Sequence, residues 1–226
     1  MPQAIQYTPD IVAGAALDLV REHGLDALTA RAVASRLGCS VAPVYSAFGS
    51  MAGLTERIMH DGLGMLERAG AKDYSDGAFL NRGIGLVAFA RDEPRLFLAL
   101  YRAGRGGSFN RYRDEVRRSM RTDHRLGSLP DAALNAVFER LWTYALGMAM
   151  SMLFDYAEDR SDLAVALELR SAGSTLMYGV LAGIDDYGSA PAREHWAALA
   201  AKQAMGQPLT ALTIQLNPAL GRQESI

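Results

Sequence analysis

Between Thr29 and Ser46 the chain places glycine, small and hydroxyl-bearing residues where a turn, a close helix crossing and a helix cap would need them. Their spacing is that of a helix-turn-helix: a short helix (TARAVASRLG), a turn at Gly38-Cys39-Ser40, and a second short helix (VAPVYSA). Gly38 supplies a backbone geometry that a side chain would resist, and Ala34 is small where two helices must cross. Ser40 is expected to cap the second helix, leaving its positively polarised N-terminus to a phosphate or a groove edge. Val44, Phe48, Leu37 and Leu54 are assigned to the core. Tyr45 can be read as packing or as contact, and its polar, short-helix setting favours an outward hydroxyl.

No comparable set supports catalysis or metal binding. His23, His60, His124 and His195 are scattered without metal-ligand spacing. There is no His-Glu-x-x-His, no glycine-rich phosphate loop, no Glu-x-x-His pair, and no strand-turn-helix setting for a nucleophilic serine. The sequence therefore predicts no metal, no cofactor and no enzyme. Cys39, the single cysteine, forbids an internal disulfide framework and suits a reducing compartment. With no second cysteine to resolve an oxidised thiol, it is expected to be a small buried hydrophobe.

The elements that must position these groups are helical. The chain has 226 residues, 50% of them hydrophobic and 21% charged, enough for a sizeable core and against disorder. Its 25 acids and 23 Lys plus Arg leave a net charge of −2, which selects no partner. Thr8-Pro9-Asp10 opens a helix over 9–23 that Gly24 closes. Further helices are expected from Thr29 to Leu37, over 41–47, from the Ser50 cap to Arg68, and at 75–92, 94–103, 109–126, 130–157 and 161–184. Gly104–Gly107 and Gly127-Ser128 read as breaks, 191–205 as a possible further helix, and the residues from Gly206 as an irregular arm. The fold class is all-α. The N-terminus lacks the pattern of a signal peptide, and Leu141–Phe154 falls short of the roughly 18–20 residues that span a bilayer. A cytoplasmic protein with no membrane partner is expected.

Beyond residue 68 the chemistry is more diffuse. Eight arginines between Arg102 and Arg125 form either a solvated face or a seat for an anion or partner. Arg117 and Arg121 stand one helical turn apart and can jointly grip a carboxylate. The helix at 130–157 is apolar nearly all round, so its second face needs a pocket or a partner. Phe89, Phe97, Tyr101, Phe138 and Trp142 are candidate pocket residues. Met148 and Met152 share a face, and Ala172, Thr175 and Gly179 on the next helix permit close approach of a mate.

The amino-terminal segment resembles the tetracycline-repressor (TetR) family of bacterial transcription regulators. The resemblance is carried by Ala15-Ala16, His23-Gly24-Leu25-Asp26-Ala27-Leu28-Thr29, Arg31, Val33-Ala34, Leu37-Gly38, Cys39-Ser40, Val44-Tyr45, Phe48, and Ser50 followed by Leu54, over about 8–58. It implies a homodimer on a palindromic operator in double-stranded DNA, with a helix-turn-helix domain at 1–50. It also implies a larger domain at 51–226 that dimerises and binds a small effector. Val41 to Ala47 would lie in the major groove, with Val41, Ala42, Pro43 and Ser46 facing bases. Thr29, Arg31, Ser40 and Tyr45 would contact the backbone. The helices 130–157 and 161–184 would form a four-helix dimer interface. Ala47 and Met51 stand where the family often has His and Lys. Residues 1–60 hold four arginines and five acids, which predicts weak non-specific binding, a shallow salt dependence and readout through thymine methyls. The expected function is a ligand-responsive regulator, most simply a repressor. The alternative is a helical ligand- or protein-binding module whose DNA function is weak or lost.

Overall fold

The computed structural model describes residues 7–103, 108–124, 126–154 and 160–181. Among them are nine α-helices: α1 (Pro9–His23), α2 (Ala30–Leu37), α3 (Ala42–Phe48), α4 (Met51–Gly70), α5 (Ala78–Asp92), α6 (Pro94–Arg102), α7 (Ser108–Thr122), α8 (Asp131–Leu153) and α9 (Asp162–Leu181). A 3-10 turn at Leu25–Ala27, which the helical periodicity did not signal, lies between α1 and α2. The chain forms two compact units, one within 1–69 and 89–115, the other within 70–88 and from 116 onward.

In the first unit α1, α2 and α3 pack on one another, and α6 packs on α1. Val12, Ala16 and Val20 of α1, Val33 and Ala34 of α2, Val44 of α3 and Leu54 of α4 are buried. Leu96, Phe97 and Leu100 complete this core from α6. A Cβ on Gly62 would stand 3.0 Å from the Leu96 side chain, so α4 approaches α6 closely there. Three starts follow the expected cap chemistry. Thr8 Oγ1 accepts from the Ile11 amide at 3.3 Å, Thr29 Oγ1 from Ala32 at 3.1 Å, and Ser50 Oγ from Gly53 at 3.1 Å. Each satisfies an amide that has no partner within its own helix.

In the second unit α8 and α9 pack on each other. Its core includes Val137, Phe138, Ala149 and Met152 from α8 and Val165, Ala166 and Met177 from α9. Three expected boundaries need correction. The helix predicted from residue 75 begins at Ala78, because the preceding loop is closed by a buried pair. Asn81 Oδ1 accepts from the Ser75 amide and hydroxyl, both at 2.7 Å, and its amide nitrogen donates back to the Ser75 carbonyl at 3.1 Å. The helix predicted to reach 126 stops at Thr122. The Asp123 carbonyl there accepts from the Leu126 and Gly127 amides at 3.2 and 2.8 Å. A Cβ on Gly127 would fall 2.5 Å from the Arg121 carbonyl oxygen, so this turn requires glycine. The helix predicted over 130–157 ends at Leu153, where Arg160 Nη2 donates to the Met152 carbonyl at 2.6 Å. Residues 104–107, 155–159 and everything from 182, including the expected 191–205 helix and terminal arm, lie outside the described residues.

Candidate nucleic-acid interface

Two short helices and their turn are held by α1. Gly38 adopts φ 67° and ψ 33°, the left-handed geometry expected of it, and its amide bonds back to α2. The outer surface of this unit then carries the expected set. Thr29, Arg31, Ser40, Val41, Ala42, Tyr45 and Ser46 are exposed, and Pro43 is half-buried. Tyr45 is 47% and Val41 39% exposed, unusual values for large apolar side chains beside a packed core. Val44 and Leu54 are buried as expected, whereas Leu37, Phe48 and Cys39 are half-buried at the rim.

Ser40 does not cap α3. The cap position belongs to Val41, in helical geometry, and no side chain accepts a hydrogen bond there. The reason lies in Pro43. With Ser40 as cap the third helical position would be proline, which has no amide hydrogen to donate. The helix starts one residue later, and the Val44 and Tyr45 amides both donate to the Val41 carbonyl at 3.2 and 3.3 Å. The Ser40 hydroxyl is left for solvent or a partner.

The charges around this surface divide sharply. Arg21 binds Glu93 through Nε at 2.7 Å and through Nη2. Arg36 grips both Glu22 oxygens at 2.7 and 2.5 Å. Arg57 reaches Asp10 at 2.7 Å and Asp61 at 2.9 Å. These contacts raise all three guanidinium pKa values, in each case chiefly through a hydrogen bond to a carboxylate: Glu93 for Arg21, Glu22 for Arg36 and Asp10 for Arg57. Arg31, exposed at the start of α2, is the one arginine of residues 7–60 without such a pair among the described residues. Apart from Arg57 with Asp61, one helical turn away, the pairing was not readable from sequence, since the other partners stand 72, 14 and 47 residues away.

The expected pocket residues separate. Phe97 and Tyr101 join Phe109 in an aromatic cluster of the first unit, with centroids 5.5–6.4 Å apart, and Phe89 is buried there. Phe138 and Trp142, stacked at 5.9 Å, instead line a cavity in the second unit. Its other walls are Phe79, Leu80, Arg82, Gly83 and Leu86 of α5, Val116 of α7, Asp123 and Leu126 of the following turn, Leu141 and Ala145 of α8, and Leu169, Gly173 and Met177 of α9. Sequence reasoning missed the α9 wall, which offers only Leu169, Gly173 and Met177, and on α5 named Phe89 rather than the residues that line the cavity. Arg117 and Arg121 are exposed and do not line the cavity. Arg121 donates to the Gly127 and Leu129 carbonyls at 3.2 and 2.9 Å and pairs with Asp131, fastening the α7–α8 turn.

Of the expected interface residues, Met152 is buried within its own unit, Met148, Ala172 and Gly179 are half-buried, and Thr175 is exposed. Tyr144, Leu167 and Tyr178 on the same two helices are 38–42% exposed, and were not singled out by sequence. The Tyr144 hydroxyl donates to Glu168 at 3.3 Å, linking α8 to α9. Among the described residues no group of three or more His, Cys, Asp or Glu can hold a metal ion, and no helix is long and apolar enough to cross a membrane.

A short helix crossing another over a left-handed glycine, with an uncovered outer face, is the geometry of a helix-turn-helix. Residues 13–58 match the family described as bacterial regulatory proteins, tetR family. The fold of the chain is similar to a TetR-like transcriptional regulator from Rhodococcus sp. RHA1 at 18% identity and TM-score 0.53, covering 81% of this chain and 99% of that one. It is also similar to a tetR-family transcriptional regulator from Streptomyces coelicolor at 20% identity and TM-score 0.59, covering 89% of this chain and 100% of the other. No curated protein matches the chain in sequence.

Proposed function

We propose that the protein is a homodimeric repressor that leaves a palindromic operator when a small molecule binds its second unit. Residues 1–50 act as the DNA-binding domain and 51–226 as the effector-binding and dimerisation domain. Val41, Ala42, Pro43 and Ser46 face bases, while Thr29, Arg31, Ser40 and Tyr45 meet the backbone. The observation that carries this reading is the exposure of these residues on one helix-turn-helix, while their neighbours Val33, Ala34 and Val44 are buried. Dimerisation through α8 and α9 is supported by the uncovered Tyr144, Leu167 and Tyr178.

Release works by population shift. Two recognition helices must meet half-sites roughly 34–36 Å apart, and α4, about 30 Å long at 1.5 Å per residue, follows directly on α3 in the chain. An effector that favours a dimer conformation with a different spacing lowers operator affinity by its preference for that state. Footprinting on the DNA flanking the protein's own gene is the test. A protected palindrome, lost on Arg31→Ala or Tyr45→Ala, is expected; no protection anywhere in that DNA overturns the reading. The scarcity of unpaired cations around α3 favours a second reading, a ligand-binding module with little DNA affinity. That reading prevails if both substitutions leave DNA affinity unchanged while ligand binding persists.

A further inference from the structure

The cavity of the second unit has walls of an unusual balance. Its side chains are apolar except for Arg82 and Asp123, one charge of each sign, and both already have interaction partners within the protein. Asp123 is only 6% exposed. A charged ligand entering here leaves water, and its attraction to one wall charge is offset by repulsion from the other. Removing an unpaired ion from water costs several kcal/mol, more than one ring's apolar burial returns. A neutral molecule meets no such obstacle.

Space sets the second limit. The cavity measures about 50 Å3, whereas an engineered apolar cavity that binds benzene measures about 150 Å3. A ring therefore enters only by displacing wall side chains. Two glycines, Gly83 and Gly173, stand in the walls. A Cβ on Gly83 would meet Leu169 at 3.6 Å and one on Gly173 would meet Leu141 at 3.8 Å, ordinary contacts, so a longer side chain at either position extends into the cavity.

We infer that this cavity selects neutral, largely apolar molecules and rejects anions and cations of the same shape. The inference rests on the proposed effector site for its biological meaning, but its test is independent of DNA. Trp142, 9% exposed in the wall, is the reporter. The full chain is labelled with 5-fluorotryptophan, and Trp196→Phe assigns the Trp142 resonance in the 19F spectrum. Toluene, benzoate and benzylammonium present one ring with charge 0, −1 and +1. Toluene is expected to shift the Trp142 resonance saturably, with the two ions at least tenfold weaker. Gly173→Leu and, independently, Gly83→Leu are expected to abolish the response, each checked by thermal melting to confirm that it is folded. A response to either ion equal to that of toluene overturns the inference, as does no response to toluene, or a full response in a folded filled variant. Failure of the ligand-free protein to protect any DNA leaves these outcomes untouched and overturns only the regulator reading.

Discussion

Arg21 and Glu93 face each other across 72 residues of sequence as a two-point pair, Nε to Oε2 at 2.7 Å and Nη2 to Oε1. Glu93 immediately precedes α6, so the pair ties the C-terminal turn of α1 to the start of α6 within one unit. Two-point geometry strengthens an ion pair, while Arg21, with 41% of its side chain exposed, loses part of that gain to solvent. Arg21→Ala and Glu93→Ala are each expected to lower stability by about 1 kcal/mol. The double variant should cost less than the two single losses added together. Urea unfolding of the four proteins checks this, and additive losses would show that the pair contributes nothing.

The Arg36 guanidinium, chiefly by its hydrogen bond, holds the Glu22 carboxyl below the ordinary carboxylate range. Folded Glu22 thus binds fewer protons than the unfolded chain in the acid range, and stability must rise with pH there. The contribution is complete above the unfolded value of 4.5 and lost as pH falls through the lower folded value. Glu22→Gln is expected to lower the urea midpoint near neutral pH, to match the parent at the lowest pH that remains folded, and so to flatten the profile. An unchanged slope refutes the assignment.

The legible parts of the fold were those set by neighbours in sequence. Thr8, Thr29 and Ser50 announced helix starts because a cap needs a hydroxyl three residues before an amide. Gly38 announced the turn because left-handed geometry excludes most side chains. Ser40 misled because the rule was applied without the missing amide of Pro43. The pocket was half-read for a different reason. Aromatic residues mark cores, but sequence does not say which core, and Phe97 and Tyr101 belong to one while Phe138 and Trp142 line a cavity in another. Arginine content near α3 was readable, whereas the removal of three of its four charges by distant carboxylates was not.

Leu167 and Tyr178 stand about three turns apart on α9 and so share one face. Each is 42% exposed. Covering such side chains is favourable by about 25 cal/mol per Å2, and a charge in their place strands itself in an apolar contact. Leu167→Arg and Tyr178→Arg are expected to yield monomers with unchanged far-UV circular dichroism, because neither side chain belongs to the core of its own unit. Sedimentation velocity reads the outcome. A dimer that persists in both variants removes this face from the interface.

Operator binding should respond weakly to salt. A dimer offering one unpaired Arg31 per subunit neutralises about two phosphates, which sets the slope of log K against log salt near −2. Arg31→Ala should bring the slope close to zero. Base readout then falls to Val41, Ala42 and Pro43, whose natural target is the C5 methyl of thymine. Replacing contacted thymines with deoxyuridine removes that methyl and leaves the phosphates and hydrogen-bonding edges unchanged. Each lost methyl contact is expected to cost about 0.8 kcal/mol, near fourfold in Kd. Titrations of the footprinted fragment at several salt concentrations, with both oligonucleotides, measure the two effects together. A steep slope with indifference to deoxyuridine would mean that cations other than Arg31 reach the DNA, and that the apolar face of α3 does not read the bases.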